Sequence, residues 1–320
     1  MASSRIARLG AESPPTGVRR TSGGCRERMR GRMDDRRLLL VHAHPDDESS
    51  MTGATMAGYA RQGTTVVLVT CTRGELGEIV APDLAGLRDV DPDGLGLYRE
   101  AELAEAMVVL GTARQYWLGG RGRWRDSGIP ATKDPAAFAC ADLDEAVRAM
   151  VGILRTERPQ VVVTYDADGG YGHPDHIQAN RVTMAALDPA ADPRFAPELG
   201  APWQVAKVYW MTLSRSLIQT AVEAGVLSST EIVPNSLPDE EITAVLDGRA
   251  YLDSKVAALR AYRSQVDLEN GIFAMLTQVP EFAMESYLLV RGERGPGSGP
   301  YNWEDDLFAG LAGLHVADSG

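Results

Sequence analysis

Leu38-Leu39-Leu40-Val41-His42-Ala43-His44-Pro45-Asp46-Asp47-Glu48 decides how this chain of 320 residues is read. An apolar run of that length, closed by a polar cluster with a proline, predicts a buried strand that ends in a functional loop. His44 and Asp47 stand three residues apart on that loop, close enough to hold one metal ion. Asp46, between them, is expected to point elsewhere and stay free as a base. Pro45 stiffens the turn by fixing its own φ.

Two ligands hold a metal poorly, so a third is expected from another strand end. Val161-Val162-Val163-Thr164-Tyr165 is a second apolar, β-branched strand, and it runs into Asp166-Ala167-Asp168-Gly169-Gly170-Tyr171-Gly172-His173-Pro174-Asp175-His176. Four of the five histidines therefore fall on these two stretches. In an open parallel sheet, ligands gather in the crevice beyond the carboxyl ends of the strands, where both loops would lie.

Working outward, residues 49–62 carry Met51, Ala54, Met56 and Tyr59 at helical spacing and stop at Gly63, a C-cap signal. Residues 65–70 are the next strand, which makes a parallel pair with a right-handed crossover. Loops follow at 73–78 and 80–96, then a helix over 98–110 ending at Gly111, and a short strand over 115–118. The loop from Gly119 to Gly128 sets Arg, Trp and Asp between glycines, which suits recognition of a sugar or an acid; a plain solvated loop is the alternative. Helices are expected over 142–156 and 174–187, so His173 and His176 lie at a helix N-terminus, where the backbone dipole favours anionic charge. A strand over 206–211, helix and loop over 214–248, a helix over 251–265 and a last strand over 286–290 complete the pattern. The expected fold is one α/β domain over 37–291, Rossmann-like, with a mostly parallel sheet flanked by helices and the metal site at the C-terminal ends of strands. No GxGxxG fingerprint occurs, so no dinucleotide is expected. Residues 1–36 read as a disordered leader, with Met33 a candidate start. Residues 292–300 read as a Gly- and Pro-rich linker, and 303–314 as a short amphipathic tail that docks on its own core or on a neighbouring subunit.

The formal net charge of -12 argues against a nucleic-acid or anionic-membrane partner and for a small neutral or cationic substrate. Three scattered cysteines, Cys25, Cys71 and Cys140, make a disulfide framework unexpected and suit a reducing cytoplasm. No apolar run approaches the roughly 18 residues of a membrane helix, and the leader lacks the apolar stretch of a secretory signal.

Three protein ligands, His44, Asp47 and His176, would leave an open position for water, the arrangement of a catalytic rather than a structural zinc site. Zinc brings the pKa of such a water to about 7, and Asp46 is placed to take its proton. A tetrahedral oxyanion needs a donor: His173 is the candidate, with Asp175 to orient or tune an imidazole and Tyr171 to add a hydroxyl. The reaction class is metal-assisted hydrolysis of an amide or ester. Two histidines and a carboxylate also make the facial triad of non-haem iron oxygenases, but that site wants three open positions rather than an Asp base and a His acid. A non-catalytic sugar-binding module is disfavoured by the intact Asp46 and His173. Bland readings fit His42, as a buried structural histidine, and Asp168 and Glu48, as turn and helix-start carboxylates.

The runs HAHPDDES, GATMAGYARQG and TYDADGGYGHPDH resemble the LmbE-like (PIG-L) zinc N-deacetylases, the family that includes the glycolipid GlcNAc de-N-acetylase. TCTRGELGE, GLYREAEL, LGGRGRWRDSG and EFAMESYLLVRG extend the likeness over residues 34–291 and bring it closest to the mycothiol-pathway branch that deacetylates N-acetylglucosaminyl-inositol. The resemblance implies His44, Asp47 and His176 as ligands of one Zn2+ per subunit, with Fe2+ acceptable. It implies Asp46 as base, His173 as oxyanion stabiliser and acid, Tyr171 as a mobile assistant, and Arg99, Asp126 and Glu78 on the sugar-inositol substrate. The sister mycothiol S-conjugate amidases share the zinc motifs, but a lysine is expected there where this chain has Met51-Thr52. A deacetylase of another GlcNAc-containing metabolite is the further alternative. Arg73 stands where the deacetylase resemblance implies an apolar residue.

Overall fold

β1 (Arg37–His42) lies between β2 (Thr65–Thr70) and β4 (Val161–Thr164), parallel to both. Leu38, Leu39, Leu40 and Val41 are fully buried, as a strand covered on both faces requires. Burying each such side chain contributes about 1.5–3 kcal/mol. In this computed structural model the described residues are 36–311, apart from 88–90, 92, 130, 132, 224–235, 270–272 and 274–279. The leader with Met33, and the tail beyond 311 with His315, lie outside them.

Among the described residues the sheet has eight strands, ordered β3 (Arg114–Trp117), β2, β1, β4, β5 (Lys207–Ser214), β8 (Met284–Arg291) and β7 (Ala244–Asp247), with β6 (Ser236–Leu237) paired to the end of β5. Its parallel part runs from β3 (Arg114–Trp117) to β5 (Lys207–Ser214). The helices α1 (Asp47–Arg61), α2 (Gly94–Leu110), α3 (Leu143–Glu157) and α4 (Pro174–Ala191) connect these strands. The chain leaves β1 toward β2 on one side and reaches β4 on the other, so the loops after β1 and β4 diverge and open a crevice. Both motif loops lie there.

Beyond β5 come α5 (Arg215–Glu223), β6 (Ser236–Leu237), β7 (Ala244–Asp247), α6 (Leu252–Ala261) and β8 (Met284–Arg291). β8 runs antiparallel to both β5 and β7. β7 falls inside the stretch expected to be helix and loop. It is a four-residue edge strand whose pairing is set by β8 rather than by its own pattern. The helix expected over 251–265 stops at Ala261, because the Ser264 amide and hydroxyl both donate to Glu102, each at 2.7 Å. The loop expected over 80–96 gives way to helix at Gly94.

Residues 292–311 are laid against the sheet rather than hung from it. Glu304 and Leu307 are fully buried. Lys207 Nζ donates to Glu304 Oε1 (2.5 Å) and to the Ala309 carbonyl (2.7 Å), and the Leu307 amide donates to the Tyr59 hydroxyl (2.7 Å). No helix forms over 303–311, where an amphipathic tail was expected. No helix of the described residues is long and apolar enough to cross a membrane.

Candidate active site

The chain leaves β1 through a turn in which Asp46 takes φ 104° and ψ −29°, a left-handed conformation that costs a residue other than glycine about 1–3 kcal/mol. Its surroundings hold it there. The Asp46 amide donates to Glu48 Oε2 (3.1 Å), and Glu48 Oε1 accepts from the hydroxyls of Ser49 (2.5 Å) and Tyr262 (2.6 Å). Arg99, buried, donates to the Pro45 carbonyl, to Asp46 Oδ2 (3.1 Å) and to the Gly74 carbonyl (2.7 Å). Burial pushes the Asp46 carboxyl up, the Arg99 guanidinium pulls it back, and Asp47 and Glu48 push again, leaving its pKa at about 7. That is where a general base for neutral pH belongs.

One residue on, Asp47 Oδ2 accepts from the His44 amide (2.8 Å) and the Tyr165 hydroxyl (2.7 Å). The same oxygen lies 3.3 Å from His44 Nδ1 and 3.4 Å from His176 Nε2. Burial alone would raise this carboxyl; the facing His176 and His44 outweigh it and hold it well below the usual range. His176 Nδ1 is 3.2 Å from the Gly169 carbonyl. A carbonyl only accepts, so Nδ1 carries the hydrogen and Nε2 presents a lone pair. That Nε2 is buried and makes no hydrogen bond. An unpaired lone pair beside a carboxylate is a donor set suited to a divalent ion.

His44 Nε2 lies 3.2 Å from Asp175 Oδ2 and 3.6 Å from Asp126 Oδ1. This directs its Nε2–H at carboxylates and turns Nδ1 toward Asp47, the second-layer arrangement of metal-binding histidines. Burial by itself would lower the His44 pKa, but Asp126, Asp175 and Asp47 raise it well above the ordinary value. Surroundings that hold a proton so firmly also favour a dication. Asp175 is fixed in turn by the Ser127 amide (2.8 Å) and hydroxyl.

His173 caps α4, its Nδ1 accepting from the Asp175 amide (3.1 Å). The hydrogen of its neutral ring therefore sits on Nε2. Burial first, and the neighbouring His44 and His176 second, lower its pKa to about 4, so near neutrality it is an uncharged donor. Donor atoms of His44, His173 and His176 lie within 4.8 Å of one another, as do those of His44, Asp126, His173 and Asp175. By that measure His173 joins His44 and His176, and Asp47 joins neither group. The tautomers separate His173 from Asp47: a protonated Nε2 can donate but not ligate, whereas Asp47 offers a carboxylate to both other histidines.

The remaining expected residues divide. Asp126 is buried beside His44, accepting from the Gly128 amide (2.8 Å) and the Leu76 amide (3.2 Å); burial pushes its carboxyl up, and the facing His44 outweighs that and holds it below the carboxylate range. Glu78 is exposed on the loop after β2. Tyr171, 54% exposed, sits between Gly170 and Gly172, both at positive φ, with its ring edge-on to His176 (5.0 Å) and His173 (6.1 Å). Arg73 is tied to Glu75 (3.0 Å) and Asp93 (3.1 Å), and Glu75 in turn accepts from the Asp126 amide (3.0 Å). His42 is buried outside the ligand cluster, 3.0 Å from the Thr52 hydroxyl, and burial takes its pKa down to about 4. Sequence reasoning missed Tyr165 and Ser127 as parts of the site. The available signal for Tyr165 was a hydroxyl-bearing aromatic at the last position before a metal loop; Ser127 carries none, because its partner is 48 residues away.

A family profile described as PIG-L: GlcNAc-PI de-N-acetylase matches residues 39–187. A protein of Saccharopolyspora erythraea named 1D-myo-inositol 2-acetamido-2-deoxy-alpha-D-glucopyranoside deacetylase 2 is 63% identical over 277 residues, covering 85% of this chain and 100% of that one. A Geodermatophilus obscurus protein named 1D-myo-inositol 2-acetamido-2-deoxy-alpha-D-glucopyranoside deacetylase is 50% identical over 293 residues, covering 87% of this chain and 99% of that one. Among solved structures, N,N'-diacetylchitobiose deacetylase from Pyrococcus horikoshii shares the fold, with a TM-score of 0.58 at 18% identity over 86% of this chain and 95% of that one. With likeness of this depth over most of its length, the chain belongs to the PIG-L family of de-N-acetylases.

Proposed function

We propose that this protein is a zinc-dependent amide hydrolase that removes the acetyl group from 1D-myo-inositol 2-acetamido-2-deoxy-alpha-D-glucopyranoside in mycothiol biosynthesis. The names of its relatives support the substrate. The observation that carries the chemistry is a carboxyl with a pKa of about 7, Asp46, directly beside the His44, Asp47 and His176 cluster. Cys71, a free and buried thiol, suits a reducing cytoplasm.

In this reading His44, Asp47 and His176 hold the ion, zinc or ferrous iron, which supplies a polarised amide carbonyl and a water with its pKa lowered to about 7. Asp46 takes the proton of the attacking water. The His173 Nε2–H donates to the oxyanion that forms, as an uncharged donor and without a proton to spare. Asp46, now a carboxylic acid, passes its proton to the departing nitrogen, and acetate and a free amine result. Asp175 keeps His44 in the ligating tautomer. Asp126 and Glu78 are assigned to substrate hydroxyls; Arg99 joins them only by giving up part of its hold on Pro45 and Gly74.

The test is a paired assay of the metal-loaded protein on this substrate and on a mycothiol S-conjugate, comparing kcat/KM. A strong preference for the first, with acetate released, is expected. Preference for the conjugate would move the chain to the amidase reaction, and turnover of neither would sink the substrate assignment.

A further inference from the structure

Tyr165, the first residue after β4, is buried and spans the crevice floor. Its hydroxyl accepts from the Ala43 amide (2.9 Å), and because a backbone N–H can only donate, the phenolic hydrogen is left for Asp47 Oδ2 (2.7 Å). Its ring stacks on His176, with centroids 4.1 Å apart and planes at 22°. Its carbonyl accepts from Asn180 Nδ2 (2.8 Å), one turn beyond His176 on α4. One side chain thus touches both sides of the switch point, Ala43 and Asp47 from the β1 side and His176 from the β4 side.

We propose that Tyr165 is the positioning residue that preassembles the metal pocket, fixing a carboxylate ligand through its hydroxyl and an imidazole ligand through its ring. The proposal rests on the reading of His44, Asp47 and His176 as ligands. Asp47 Oδ2 has two donors, the His44 amide and this phenol. Losing the phenol frees the carboxylate to rotate and leaves the buried Ala43 amide without its acceptor. An ordinary core aromatic would contribute packing alone, and its hydroxyl would not matter to metal.

Zinc affinity, measured by chelator competition on the full chain, tests this together with thermal unfolding of the metal-free protein. Tyr165→Phe keeps the ring and should bind zinc about 10–100-fold more weakly, the usual effect of losing an outer-layer partner. At limiting zinc its turnover should fall with the lost affinity and rise as zinc is added back. A folded Tyr165→Phe with wild-type zinc affinity overturns the proposal. Should that variant not fold, Asn180→Ala loosens the tyrosine from its backbone side and is expected to weaken zinc less; unchanged affinity there overturns the proposal equally. If wild type binds zinc no better than His176→Ala, the ligand reading falls and the proposal with it.

Discussion

Two buried charged clusters lie at opposite ends of the parallel strands, and they are built on different terms. Where β5 begins, Lys207 and Glu304 match one to one. The lysine ammonium reaches Glu304 Oε1, the Tyr209 hydroxyl (3.1 Å) and the Ala309 carbonyl, and the carboxylate also accepts from Tyr209 (2.7 Å) and the Gly295 amide (2.6 Å). At the carboxyl ends of β1 and β4, by contrast, Asp46, Asp47, Asp126 and Asp175 surround three imidazoles, His176 Nε2 is unpaired, and Asp46 is held in a left-handed turn. A cluster whose every hydrogen has a partner is finished as structure. One with surplus carboxylate, an idle lone pair and local strain is arranged for something that binds.

The comparison breaks if the crevice turns out to be merely structural, and Asp46→Asn is the sharpest way to find out. Asparagine tolerates the left-handed backbone, so the turn survives while the base is lost. Turnover should fall by about 10²–10⁴-fold, with zinc retained and no loss of thermal stability. The base must be ionised, and its pKa is raised to about 7. Activity therefore rises with pH through a limb at or below 7, the bound ion's charge shifting it downward, and Asp46→Asn abolishes that limb.

Lys207→Met probes the other cluster and should behave in the opposite way. It strands a buried carboxylate and should cost about 3–5 kcal/mol in urea unfolding, while kcat of the folded fraction is unchanged. Adding Glu304→Gln should return part of that loss. If the single variant were instead inactive but stable, the division between the two clusters would be wrong.

Within the crevice, His173→Ala sharpens the assignment of donor against ligand. Loss of an oxyanion donor should lower kcat by about 10²–10³-fold with zinc affinity unchanged; a collapse of zinc affinity would make His173 the third ligand in place of Asp47. Because its pKa is about 4, His173 stays uncharged across the limb set by Asp46. The variant should lower the plateau of the pH profile without moving the limb.

The two clusters also differ in how far sequence reaches them. His44, Asp46 and Asp47 sit within four residues on one turn, and His173, Asp175 and His176 within four on another, so local spacing and strand patterning sufficed to bring them together. The tautomers did not follow from spacing, because they depend on the Gly169 carbonyl and the Asp175 amide as folded. Lys207 and Glu304 are 97 residues apart, and nothing near either announces a buried pair. The segment that carries Glu304 read as tail for the same reason: its burial comes from Lys207, Tyr209 and Tyr59, all far off in the chain. Arg99, expected on substrate, was not legible as the brace of the Pro45–Asp46 turn, since that turn lies 53 and 54 residues away.

The finest form of the comparison sets two tyrosines of one pocket against each other. Tyr165 is buried and its hydroxyl hydrogen is committed to Asp47, whereas Tyr171 stands half in solvent between two left-handed glycines and touches the histidines only by its ring edge. Removing a hydroxyl with no fixed partner should cost only what one hydrogen bond made during turnover is worth, about 0.5–1.5 kcal/mol or roughly 2–10-fold in kcat. Tyr171→Phe should therefore turn over more slowly and bind zinc as wild type does, whereas Tyr165→Phe loses zinc affinity. Zinc affinity lost in both variants would mean that the exposed ring braces His176 as the buried one does, and that the crevice is assembled from its rim as well as from its floor.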